Sequence, residues 1–185
     1  MGYFLITILV VALYHFIYES ILAPSWRLKL RFELFVLRDK VRALKIDYGV
    51  EFQDKHYHYL QDSINTLLSL LARFDLATLG RIEAEMKRNP ELQQQSDERS
   101  QVLDDCDLED AKLIRYASLR IAIAALAVNS GGWFIYVLPP LSLALGLRSY
   151  FWSFRQRIKA VVAIPQSEIN KFAPASADLS PGVAC

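Results

Sequence analysis

With 185 residues, 53% of them hydrophobic, the chain has room for one domain, or for a membrane part attached to a small cytoplasmic part. Lys and Arg number 21 against 20 Asp and Glu, and the formal net charge of +1 gives no global basic field for a nucleic-acid partner. Cys106 and Cys185 stand too far apart for a metal or redox spacing, so the composition argues against a disulfide framework.

The first apolar stretch, Tyr3 to Leu22, is long enough to cross a membrane as a helix. No basic segment precedes it and no small-x-small cleavage site follows, so it reads as an uncleaved signal anchor. Pro24 is expected to end this helix, with Trp26 at the interface. His15 and Glu19 stand four apart on one face of it, a candidate pair for contact within the membrane or between subunits.

From Trp26 to Ile46, the residues Trp26, Leu30, Leu34, Leu37, Val41 and Leu44 recur at helical spacing, and Leu28, Phe32 and Phe35 widen the stripe. Seven basic residues against two acidic ones between Trp26 and Lys45 put this segment on the cytoplasmic side and the amino terminus outside. Trp26, Arg27, Lys29 and Arg31 are the candidates for lipid-surface contact; the apolar stripe serves equally to pack against neighbouring helices.

Asp47-Tyr48-Gly49 breaks the pattern, and a helical period returns from Val50 to Phe74. Asp75 is placed to cap a short helix carrying Leu76, Leu79, Ile82 and Met86, which Asn89-Pro90 stops. His56 and His58 are two apart, point in nearly opposed directions on a helix and make no metal site. Between Glu91 and Asp110 eight acidic residues face one basic one, which reads as a solvated, partner-facing segment with Asp107 capping the next helix.

From Ile121 to Leu147 there is no charged residue, and basic residues flank both ends. The breaks at Asn129-Ser130-Gly131-Gly132 and at Pro139-Pro140 suggest a hairpin that leaves the membrane on the face it came from. Each arm, at about 22 Å, is shorter than the roughly 30 Å hydrocarbon layer, which favours re-entry and self-association. Asn129, Gly131, Gly132, Pro139 and Pro140 are therefore the candidate contacts of that hairpin, with a positive φ expected at Gly131 or Gly132. The alternative is one long helix from Leu119 to Leu138. Arg115 and Arg120 are expected to snorkel at the start of the run. Arg148, Trp152, Arg155 and Arg157 form an aromatic and basic lipid-surface cluster, and Ile164 to Cys185 reads as a disordered tail.

The expected fold class is thus an all-α membrane protein in four parts: an N-terminal signal-anchor helix over 1–24, a small cytoplasmic helical bundle over 25–110, a C-terminal broken membrane hairpin over 111–160 and a tail over 161–185. No phosphate-cradling glycine loop, nucleophile elbow or Arg-x(4–6)-His nuclease pattern occurs, so no enzyme and no cofactor is expected. In layout alone, the chain looks like small membrane-anchored accessory proteins of prokaryotic antiviral systems, including those accompanying type VI-B CRISPR effectors, some of which form pores. That resemblance carries over no residue. The expected location is a bacterial inner membrane, and the basic clusters after Trp26, before Ile121 and after Leu147 set the topology: at most three membrane segments, the amino terminus outside and the carboxyl terminus in the cytoplasm. Two functions follow as expectations: a self-associating protein that forms or gates a pore or perturbs the bilayer, and a membrane-tethered adaptor whose cytoplasmic helices bind a protein partner. The expected partners are membrane lipids, further copies of the chain and a cytosolic protein, with no specific nucleic acid.

Overall fold

The computed structural model describes residues 2–50, 52–131 and 148–172, and among these the chain is helical throughout, with no strand. The first helix, α1 (Gly2–Ile17), passes through a π turn (Tyr18–Leu22) directly into α2 (Ala23–Tyr48). Together they form one helix of 47 residues, the only one among the described residues long and apolar enough to span a membrane. The expectation that Pro24 ends the anchor is corrected here. An α-helical Pro24 would clash with the carbonyl four residues back. The π turn relieves this by widening the helix just ahead of it, and the Ala23 N–H donates to the Tyr18 carbonyl, five residues back.

The two halves of this helix bury very different surfaces. No residue of α1 is buried, whereas α2 buries Leu30, Leu34, Leu37, Val41 and Leu44. Each such side chain contributes about 1.5–3 kcal/mol over its exposed state. So the predicted stripe is core-facing from Leu30 onward, while Trp26 stays 38% exposed. Gly49 ends α2 at φ 51, a backbone conformation that L side chains resist. Lys45 then clamps the turn, donating to the carbonyls of Gly49 (3.1 Å) and Phe52 (2.8 Å) and pairing with Asp54 at 2.6 Å.

Next come α3 (Asp54–Leu70), α4 (Leu76–Arg88) and α5 (Pro90–Asp104). Asp75 caps α4 as its position predicts, accepting from the Thr78 N–H at 2.7 Å. Asn89 stops α4 and also caps α5, accepting from Leu92 N–H at 3.3 Å with Pro90 in the first turn. The polar, Gln-rich stretch is therefore helix, anchored by buried Leu92 and Leu103, and the acidic cluster after it does contain a turn, over 105–108. The capping role expected of Asp107 is also corrected: α6 (Glu109–Asn129) is preceded by Leu108 at the cap position, with no side-chain cap.

Helix α6 packs along α2, and its small residues Ala122 and Ala125 are buried in the core. Ile121, Leu126 and Val128 are buried too, so protein neighbours account for the uncharged run up to its first break. The rest of the proposed hairpin, including Gly132, Pro139 and Pro140, lies outside the described residues. Helix α7 (Arg148–Ala163) closes the bundle against α3, α4, α5 and α6 through Ile158, Val161 and Val162. The tail expected to be disordered starts otherwise: Ile164 and Ile169 are fully buried and α8 (Gln166–Phe172) packs on α3, because two apolar residues outweigh the polar composition around them.

Candidate functional site

Where the apolar anchor meets the bundle, a collar of polar contacts locks the π turn, α2, the end of α6 and the α3–α4 connection together. Helix α6 ends at Asn129 and Gly131 takes φ 74, so the single helix from Leu119 to Leu138 is excluded. The last carbonyls of a helix lack intrahelical partners. Here the Tyr18 hydroxyl, buried in the π turn, donates to the Val128 carbonyl at 3.0 Å. Arg27 Nε donates to Asn129 Oδ1 at 2.7 Å, bringing a cation to the negative end of the α6 dipole. Asn129 Nδ2 in turn donates to the carbonyls of Leu71 (2.7 Å) and Phe74 (3.2 Å), in the connection between α3 and α4. Trp26 packs edge-on to Tyr18, with ring centroids 6.1 Å apart.

Asn129, a candidate for membrane or subunit contact, and Arg27, a candidate for lipid contact, are joined to each other within one chain. His15 and Glu19 remain exposed on the anchor. His15 and Gly131 are brought together at a 480 Å³ cavity that Thr7, Val11 and Tyr14 also line. Lys29 and Arg31 are exposed. Arg155 lies over the Tyr116 ring (5.1 Å to its centroid) and Arg157 pairs with Glu83 at 3.7 Å, so both engage the bundle. The side chains of Arg148 and Trp152 lie outside the described residues.

A second polar cluster holds the far end of α5. Arg115 does not snorkel: it is buried, donating through Nε to Asp104 at 2.9 Å and through Nη2 to the Ser100 hydroxyl at 3.0 Å. Lys159 of α7 reaches the same Asp104 carboxylate at 3.0 Å. Burial pushes the Asp104 carboxyl up, but the hydrogen bond from Lys159 and the charge and hydrogen bond of Arg115 outweigh it and hold the group below its ordinary value. Burial lowers the Arg115 guanidinium from its ordinary value despite the opposing pull of Asp104. At the α2–α3 turn the hydrogen bond from Lys45 holds Asp54 below the usual carboxylate range. Arg99 pairs with Asp62 and stacks 4.7 Å from the Tyr59 ring centroid. These pairs tie helices to one another. Among the described residues no group of three or more His, Cys, Asp or Glu is placed to hold a metal ion.

The sequence reading missed Tyr18, whose partner is 110 positions away. It also missed a groove between α2 and α6, floored by Leu28, Phe32 and Val36. The spacing of those three residues, four apart, was visible, but Leu28 and Phe32 were assigned to the same face as the core stripe and Val36 was not singled out.

Fold and site together define an all-helical protein whose N-terminal helix is long and apolar enough to cross a membrane and is keyed into the bundle by a polar collar. Comparison with protein-family models, with curated proteins and with solved structures gives no match.

Proposed function

We propose that the protein is a membrane-tethered helical adaptor that holds its bundle at the cytoplasmic face of a membrane. One observation carries this reading. In a single unbroken helix, the first 16 residues bury nothing and the next segment forms a wall of the core. Basic residues begin at Arg27, directly after the apolar half, which by charge bias sets the amino terminus outside and the bundle inside. Placing two arginines at the anchor's centre, Leu9→Arg with Val10→Arg, adds about 5–7 kcal/mol to the cost of insertion. The native chain is expected to stay in the membrane pellet through alkaline carbonate washing and the double variant to leave it. Equal partition of the two disproves the tether.

A second reading, a self-associating protein that forms or gates a pore, is favoured by His15 and Glu19. Both are exposed on an otherwise apolar helix, where an ionisable side chain is costly unless another copy or water receives it. Vesicles carrying the native chain would then leak an entrapped dye, and His15→Leu with Glu19→Leu would suppress the leak. Tight vesicles with both proteins leave the adaptor reading alone.

A further inference from the structure

One face of the long helix remains uncovered. Ile21, Leu28, Phe32 and Val36 follow one another down it and are between 55% and 59% exposed. Beside the last three, between α2 and α6, runs a groove of 670 Å³ that reaches from Ser25 to Lys40 and is bordered on α6 by Ala117, Arg120 and Ile121. Its rim carries Lys29, Lys40 and Arg120, none of which makes an ion pair among the described residues, against one acid, Glu33. Elsewhere on the same helix Arg38 and Arg42 face Asp39, Lys45 holds Asp54 and Arg31 lies over the Phe35 ring.

We propose that this groove is a docking site for an amphipathic α-helix of a cytosolic protein partner, one with an apolar ridge flanked by Asp and Glu. The dimensions fit a helix. Ser25 to Lys40 covers about 22 Å along the axis, the length of four turns. Leu28, Phe32 and Val36 form a ridge at spacing four, the kind of row into which another helix packs. The charge fits an acidic occupant, since three free cations against one acid leave a rim of net +2. A second copy fits badly, because a two-fold contact through this groove would set Lys29, Lys40 and Arg120 against their own equivalents. Bilayer lipid fits badly as well, a step that rests on the tethered reading. Measured from Leu22, Phe32 lies about 15 Å and Lys40 about 27 Å further along the helix. The headgroup layer extends only about 5–8 Å beyond the hydrocarbon.

The test places a photo-crosslinking benzoylphenylalanine at Val36 in the full chain, expressed in its native host. Adduct peptides are sequenced, and membrane fractionation is read from the same cells. The expected adduct is a peptide of another protein, with apolar residues three and four apart and acidic residues beside them. Its yield should fall at least ten-fold in Lys29→Glu/Lys40→Glu/Arg120→Glu, whose helical circular dichroism should stay native because all three side chains lie on the surface. Adducts only to this chain, only to phospholipid or to a peptide without acidic residues overturn the proposal. So does the absence of any adduct, or a yield indifferent to the triple substitution. A chain that proves soluble but still gives the charge-dependent adduct refutes the tether and leaves the docking site standing.

Discussion

Replacing Asn129 by Ala removes the group on which three segments converge. Its side chain accepts one hydrogen bond from a charged donor, Arg27, and donates two to main-chain carbonyls. A bond to a charged group contributes about 1.5–3 kcal/mol and a neutral one about 1 kcal/mol, which sums to about 4 kcal/mol. Asn129 and Arg27 are both half-buried, so water recovers part of this and the expected net loss is about 2 kcal/mol. In a domain of this size, that lowers Tm by about 4–8 °C. The assay is thermal unfolding of the detergent-solubilised chain followed by circular dichroism, extended to a double-mutant cycle with Arg27→Ala. The cycle should return a coupling of about 1 kcal/mol, since the two side chains share one bond. A loss under about 0.5 kcal/mol, or strict additivity, would refute the collar as the joint between anchor and bundle.

Further outcomes follow from the other contacts. Asp104→Asn should cost about 2 kcal/mol: it strands the buried Arg115, but the half-exposed carboxylate makes the loss smaller than for a fully enclosed pair. Because Asp104 titrates below its ordinary value in the folded chain, its contribution is complete above about pH 4 and disappears as pH falls through the depressed value. The native chain should therefore lose stability on acidification more steeply than Asp104→Asn, as urea midpoints between pH 6 and 3 would show. Gly131→Ala should destabilise by about 1 kcal/mol, because φ 74 strains any residue with a Cβ, and an unchanged Tm would contradict that backbone. Lys45→Met should cost about 1–2 kcal/mol through the carbonyls of Gly49 and Phe52, and faster amide hydrogen exchange confined to residues 46–56 would locate the loss.

What the sequence disclosed and what it concealed divide along the range of the interactions. The helix cap at Asp75, the stop at Asn89-Pro90, the break at Gly49 and the stripe from Leu30 to Leu44 are legible because each depends on residues a few positions apart. The positive φ at Gly131 was foreseeable from glycine's freedom at a helix end. By contrast, Arg115 read as a snorkelling cation because Asp104, its partner, lies in another helix, and the bonds of Asn129 were hidden because its partners are 55 or more positions away. Ile164 and Ile169 looked like isolated apolar residues in a polar tail until α3 covered them. Pro24 misled for a different reason: the rule against proline inside a helix holds for α geometry, and one wide turn suspends it.

That wide turn also sets the phase between the two halves of the long helix. Twelve steps separate Tyr18 from Leu30, and at about 100° each an unbroken α-helix would leave them about 120° apart around the axis. A π turn absorbs one residue without advancing the spiral, which reduces the offset to about 20°. Tyr18 thereby looks the same way as Leu30 and meets the end of α6, although it belongs to the apolar half. The extra residue acts like a key cut into a shaft. It fixes the angle at which the anchor is seated, and torque applied to α1 passes into the wall of the bundle without a hinge to dissipate it.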